Sequence, residues 1–348
     1  ATGRAHQASG ESLAAGVHAV CASAQIDCLP VPDGGEGFAG SLVRATGGSL
    51  RHVTVTGPLG EPVASRYGIL GDGETAVVEL AESAGLRLIP PARRDPLRAT
   101  TRGVGETIRA ALDAGFRRIL VGCGDSGTND GGAGLAQALG VRLERADGTP
   151  IGPGAAGLLE LQRIDLSARD PRIVGAQIEV ACNHVIPLTG PAGTGRSFGA
   201  QKGAPPAALD WLDLALSSFA AIVRRDLGIN LAAVSGAGAS GGAGAGLHAL
   251  LGAPASRSAP GGTKAAQRRV RAPQAIFSTV TGCSGAPSRA NAVRLASVVS
   301  AIAVSASLVK KPWCPVITTF GKVSSRANTS SWITWPDRSS KNRSASSS

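Results

Sequence analysis

Gly122-Cys123-Gly124-Asp125-Ser126-Gly127-Thr128-Asn129-Asp130-Gly131-Gly132 is the stretch on which the reading of this chain turns. It follows a run with strand character at 118–121 and precedes a helical pattern at 133–139 and a second strand pattern at 141–144. A Gly-rich loop between a strand and a helix is where parallel α/β sheets bind ligands, because the loops leaving the strand C-termini converge there. Working outward, 104–114 reads as a helix with Gly115 as its C-cap, and 53–56, 66–70 and 76–80 read as strands. Gly57-Pro58 and Gly71-Asp72-Gly73 punctuate those strands. Beyond the loop come a strand at 178–182, a helix at 207–223, a Gly/Ala-rich loop at 234–246 and a helical 247–251. At the other end, Leu13, Val17 and Val20 suggest a helix over 12–24 that enters the segment 28–37. The rhythm of helix, strand and loop predicts an α/β fold with a parallel sheet and its chemistry in the strand-end loops.

With 348 residues the chain can hold two α/β domains or one large one. Its net charge of +11 is unevenly spread: residues 255–348 hold 14 of the 35 Lys and Arg but one of the 24 acids, Asp337, leaving 21 bases and 23 acids for 1–254. A near-neutral body with 3% aromatics, and three of four Trp in the tail, argues against nucleic-acid binding, which needs a basic face with stacking groups. Six scattered Cys without a C-x-x-C pair, and five scattered His, give no metal-site or disulfide pattern. The apolar run at 295–309 is shorter than a membrane span requires, and no signal sequence is read, so the expectation is a cytoplasmic protein without a membrane partner. The Ser-rich, basic segment 255–348 reads either as a disordered extension or as sequence translated out of frame.

Four Gly-rich loops are candidates for chemistry: 32–37, 122–132, 190–203 and 236–242. Glycine lets the backbone approach a ligand and turn several N–H groups towards phosphate oxygens. Gly122, Gly124 and Gly127 also fit G-x-G-x-x-G, with Glu144 ending the next strand, which leaves an NAD-dependent oxidoreductase as an alternative. Against it, residues 128–132 delay the helix and put an acid where a pyrophosphate would sit. Phosphoryl transfer needs carboxylates for Mg²⁺, a base near the acceptor hydroxyl and cations beside backbone donors. Asp33, Glu36 and Asp130 supply the carboxylates, and Arg196 and Lys202 the cations. No G-x-x-x-x-G-K-[ST] occurs, so the chain has no P-loop.

Together and in order, Asp33-Gly34-Gly35-Glu36-Gly37, the 122–132 loop, Phe198-Gly199-Ala200-Gln201-Lys202-Gly203 and the late loop 236–242 resemble the glycerate kinase family over about residues 12–252. Gly57-Pro58-Leu59-Gly60, Val78-Glu79-Leu80-Ala81, Ser83-Ala84-Gly85-Leu86 and Thr101-Arg102-Gly103-Val104-Gly105-Glu106 extend the resemblance. It implies two α/β domains with the active site in the cleft between them. One would be flavodoxin-like, three-layered and built from both chain ends; the other would be an inserted mixed α/β domain. It also implies transfer of the γ-phosphoryl group of ATP, with Mg²⁺, to a hydroxyl of D-glycerate. Carried onto matching positions, Asp33, Asp130 and Lys202 are the implied catalytic residues, with Asp33 and Asp130 holding metal. Gly34, Gly35, Glu36, Gly124, Ser126, Thr128, Asn129, Gly131, Arg196, Gln201, Gly203, Gly238 and Gly241 are the implied substrate and phosphate contacts.

The chain departs from the family pattern in several places. Residues 7–12 occupy the region where the family carries a P-D-S-F-K-G loop, without its Lys, so the N-terminal strand is read as missing. Ile186 stands where Asn is usual, Ala200 replaces Pro, and the C-terminal G-E-G, D-x-Q-T and G-K motifs are absent. Residues 1–254 are accordingly taken as the family-like region and 255–348 as an atypical tail. A relative impaired in catalysis that only binds ligand stands as a further alternative.

Overall fold

The computed structural model describes residues 12, 14–19, 34–182 and 186–254. Asp33 and the whole of 255–348, on which expectations were placed, lie outside the described residues. Residues 14–19 are helical (α1), within the span expected from the apolar spacing.

β3 (Thr75–Glu79) is buried along its whole length and forms the middle of a five-stranded sheet. Its neighbours are β2 (Pro62–Ile69) and then β1 (Ser49–Thr56) on one side, β4 (Arg118–Cys123) and then β7 (Gln177–Cys182) on the other. The sheet is mixed and not parallel throughout: β2 runs antiparallel to both β1 and β3, and β3, β4 and β7 are parallel. The turns at 57–61 and 70–74 explain the difference, because such short connections close hairpins while a parallel crossover needs a dozen residues or more. Between β3 and β4 the chain has room for α3 (Ala81–Ala84) and α4 (Arg102–Asp113), and these parallel strands obey the expected rule.

Alternation along the strands builds two cores. Val77 packs with Leu120 and Ala181 beneath α2 (Phe38–Thr46), whose Phe38, Ala39 and Leu42 cover that face. Ala76, Val78, Ile119, Val121 and Ile178 point the other way into the larger core. There α4 offers Val104, Ile108, Ala111 and Leu112 at helical spacing, and its chain reverses at Gly115 as expected. α5 (Ala133–Ala138), α6 (Gly154–Leu159) and α7 (Thr194–Phe198) complete this side, with a small antiparallel pair, β5 (Arg142–Glu144) and β6 (Arg163–Asp165).

Two long helices close the larger core. α8 (Pro206–Leu227) starts with Pro at its first turn and stops at Gly228. By length and composition it could cross a membrane, yet Leu212, Leu216, Phe219 and Val223 form one buried stripe against the core. α9 (Ala239–Leu251) begins inside the segment expected as a loop at 234–246. Its alanines and glycines are small so that the helix can lie against the 131–132 backbone, where a side chain at Gly246 would meet the Gly131 carbonyl at 2.5 Å.

Phe219 is fully buried and lies under Gly131 of the long loop. Phe219→Ala is expected to cost about 3–5 kcal/mol of stability, the range for emptying an aromatic site in a core, read as a lower midpoint in urea unfolding.

Candidate active site

The loops that follow β4 and β7 come together with the start of α9, as strand-end loops of parallel sheets do. Their meeting point is backbone on backbone. Gly131 N–H donates to the Gly241 carbonyl at 3.1 Å. Gly241 has φ 66°, and a Cβ there would stand 2.0 Å from the Thr128 carbonyl oxygen. Gly238 donates to the Ile186 carbonyl at 3.2 Å, which ties the same loop to the segment after β7.

Asp130 organises this region. It is fully buried, and its carboxylate accepts from Thr101 N–H (2.8 Å), Thr101 Oγ1 (2.8 Å), Gly132 N–H (3.1 Å) and Gly134 N–H (3.2 Å). It thus caps the first turn of α5 and fastens it to the start of α4. Thr101 Oγ1 in turn accepts from Leu135 N–H at 3.0 Å. Burial pushes the Asp130 carboxyl above the usual range, and these hydrogen bonds pull the other way.

Lys202 brings the opposite charge. Its side chain is 3% exposed, and Nζ donates to Ser126 Oγ at 3.0 Å and to the Thr128 carbonyl at 2.6 Å. Burial pulls its pKa down to about 7, against the upward pull of the Asp130 charge. Of the buried side-chain polar atoms with no hydrogen-bond partner among the described residues, four belong to the loops that meet here, Thr128 Oγ1, both ends of the Asn129 amide and Ser240 Oγ, the others being on Ser65, Ser83 and Arg94. Thr128 and Asn129 are fully buried, and Ser240 holds a left-handed backbone at φ 51°. Buried polar groups are nearly always paired, and strained backbone clusters at ligand sites, so this concentration is the signature of a place that receives a polar ligand.

The structure brings Gly124, Ser126, Thr128, Asn129, Gly131, Lys202, Gly238 and Gly241 into this region. Gly34 and Gly35 adjoin it from the other side: a Cβ on Gly124 would stand 2.6 Å from the Gly35 backbone, and one on Gly34, at φ 92°, 2.5 Å from the Ala181 carbonyl. Glu36 is half-buried and lies 3.6 Å from Arg87. Gln201 is exposed, its carbonyl accepting from Arg94 Nη1, and Gly203 packs on Arg94. Arg196 is exposed and paired with Asp210 and Asp213 at the start of α8, away from Lys202's partners. Three residues outside the implied catalytic and binding set matter here: Thr101, Ser240 and Glu79. Ser240 is hidden among glycines, and Thr101 and Glu79 become visible only when the strand and helix ends meet.

The dinucleotide alternative fails on topology. Gly122 lies inside β4, and Glu144 ends β5, which pairs with β6 in a separate two-stranded sheet and not beside β4. An acid placed there cannot serve a ribose bound at the end of β4. Metal binding is also less direct than expected. Among the described residues no three His, Cys, Asp or Glu gather into a metal cluster, and Asp130 already spends both oxygens on four protein donors. The described residues therefore do not form a cage for Mg²⁺, although Lys202 and the unpaired hydroxyl and amide groups suit an anionic ligand.

The Lys202 shift has a definite consequence. Between about 7 and the ordinary lysine value of 10.5 the unfolded chain binds a proton that the folded chain does not, so folding stability rises with pH across that window. Lys202→Met is expected to abolish this rise, as seen in thermal midpoints taken from pH 7 to 10.

Comparison with known proteins agrees with this architecture. The model of the Glycerate kinase family matches residues 4–329, running past the compositional boundary at 254. A glycerate kinase of Bacillus subtilis (strain 168) is 49% identical over 241 residues, covering 69% of this chain and 63% of that protein. The glycerate 2-kinase of Escherichia coli (strain K12) is 47% identical over 243 residues, covering 70% and 64% respectively. A solved glycerate kinase 2 structure from Salmonella typhimurium LT2 superposes with a TM-score of 0.63 at 50% identity, covering 65% of this chain and 61% of that one. The chain thus spans somewhat less than two thirds of the length of these relatives, and by sequence and fold it belongs to the glycerate kinase family.

Proposed function

We propose that this chain transfers the γ-phosphoryl group of ATP to a hydroxyl of D-glycerate, as a cytoplasmic enzyme of two α/β domains with the site in the cleft between them. The observation that carries the reading is the set of unpaired buried atoms of Thr128, Asn129 and Ser240 on the loops that meet where Lys202 holds Ser126 and the Thr128 carbonyl. Glycerate has a carboxylate and two hydroxyls, and ATP a run of anionic oxygens; both need donors and acceptors held in place before the reactants arrive. The names of the relatives, glycerate kinase and glycerate 2-kinase, point to the same substrate.

In this reading Lys202 stabilises the negative charge that builds on the transferring phosphoryl group, with Ser126 and Thr128 fixing the direction of its N–H bonds. Asn129 and Ser240 take the polar groups of the acid. Asp130 acts one layer back: it holds the loop and the charge of Lys202. This role differs from the metal ligand and proton acceptor that its place in the loop suggested. Mg²⁺ would arrive on ATP and neutralise phosphate charge, needing one or two carboxylates at most. Asp33 is the family position that would meet it, and Glu36 one that would meet the sugar acid.

The test is ADP release by the full chain with Mg·ATP, with and without D-glycerate, the product being identified by phosphorus NMR. Glycerate-dependent release is expected. Asn129→Ala should lower kcat/KM for glycerate on the order of 100-fold, and Lys202→Met on the order of 100-fold or more, mainly in kcat, as loss of a transition-state contact requires. ATP-stabilised folded protein with no release would instead identify a relative that binds ligand without turnover.

A further inference from the structure

The first turn of α2 follows the loop Gly34-Gly35-Glu36-Gly37, whose amides looked suited to an anion. Those amides are already taken. Glu36 N–H donates to Asp125 Oδ2 at 3.0 Å, Gly37 N–H to Glu79 Oε1 at 2.9 Å and Ala39 N–H to Glu79 Oε2 at 3.0 Å. Phe38 N–H closes back on the Gly35 carbonyl at 3.1 Å. Glu79 is the last residue of β3 and only 2% exposed, while Asp125 stands two residues beyond β4. Two carboxylates from neighbouring strand ends thus sit where a phosphate would.

The arrangement is costly to maintain. Asp125 adopts φ 49°, rare for a residue with a side chain, and its carbonyl is held by Leu86 N–H at 2.9 Å. Glu79 is a buried carboxylate whose pKa burial pushes up to about 7, in spite of its two amide donors. Arg66 and Glu82 are the other charged groups acting on it, and Arg87 joins Glu82 to Glu36. Strain and desolvation accepted together at one loop point to a function for the loop's position.

We propose that Glu79 and Asp125 are positioning residues that clamp the start of α2, so that the loop presents the Glu36 carboxylate, and not its backbone amides, to the ligand. The proposal rests on the phosphoryl-transfer reading above. It assigns the phosphates of ATP to Lys202, and has the acid-bearing loop complete, with Asn129 and Ser240, the place of the sugar-acid substrate. Glu79 and Asp125 themselves touch no reacting atom; they act through Glu36.

The experiment combines amide hydrogen exchange over residues 36–39 with steady-state kinetics of Glu79→Gln and Asp125→Ala in the full chain. Asp125 is exposed, so its variant keeps the test open if Glu79→Gln does not fold. Exchange at residue 36 in Asp125→Ala, which removes the acceptor, and at one of 37 and 39 in Glu79→Gln, which keeps one acceptor oxygen of two, is expected to rise about tenfold or more while other amides keep their protection. The KM for glycerate should rise about tenfold, with the KM for ATP little changed. Unchanged exchange in both variants overturns the clamp. Faster exchange with unaltered kinetics in a working enzyme overturns the positioning role, since the bonds would then serve the fold alone. If the wild type releases no ADP, the kinase reading falls separately, and exchange with and without D-glycerate then decides: ligand protection at 36–39 that both variants lose supports the clamp, and no ligand protection overturns it.

Discussion

A carboxylate without access to water, Asp130, joins the elements that make the site. Its oxygens accept from the backbone that begins α4, through Thr101, and from the backbone that begins α5, through Gly132 and Gly134. An ionised group in such surroundings is tolerable only if its lone pairs are filled and a cation stands near. Both conditions are met here, the second by the buried Lys202. The consequence is that the polypeptide between β4 and α5 has little freedom: it must pass Ser126 and the Thr128 carbonyl beneath Lys202 and turn left-handed at Gly131 and Gly132.

This constraint extends to α9. Ser240, Gly241 and Gly242 turn left-handed before its regular part, and Gly241 and Gly242 lie directly on Thr128, Asn129 and Gly131. Only residues without side chains allow that approach. The glycine-rich composition expected as a loop at 234–246 is therefore a packing requirement, of the left-handed turn at 240–242 and of the helical residues that follow it. The polar atoms of Thr128, Asn129 and Ser240 stay unpaired because the loops are held by their backbones, which leaves the side chains for something other than the fold.

A second set of carboxylates serves the opposite side of the sheet ends. Glu79 and Asp125 occupy the start of α2 much as Asp130 occupies the start of α5. In both places a helix terminus that attracts anions is filled by the protein's own acid, which fixes the terminus and removes it as a ligand site. The region left for an external anion is the one where the cation and the unpaired donors are, around Lys202.

Much of this was written in the order of residues. The alternation of Ala76, Val77 and Val78, the helical spacing of Val104, Ile108 and Leu112, and the Gly-rich loop after β4 follow from local periodicity and turn chemistry. The motif order was enough to suggest the family and to single out Lys202, Thr128 and Asn129. The short turns at 57–61 and 70–74 already carried the antiparallel course of β2 against β1 and β3, but local pattern could not separate Asp130, Arg196 and Glu36, all acids or bases next to glycine. Only the tertiary structure decided that Asp130 is buried and used up by amides, that Arg196 is spent on Asp210 and Asp213, and that Glu79 reaches α2 from the far end of β3. Burial and pairing are properties of residues far apart in the chain, and a charge acquires its role from the partners that folding brings to it.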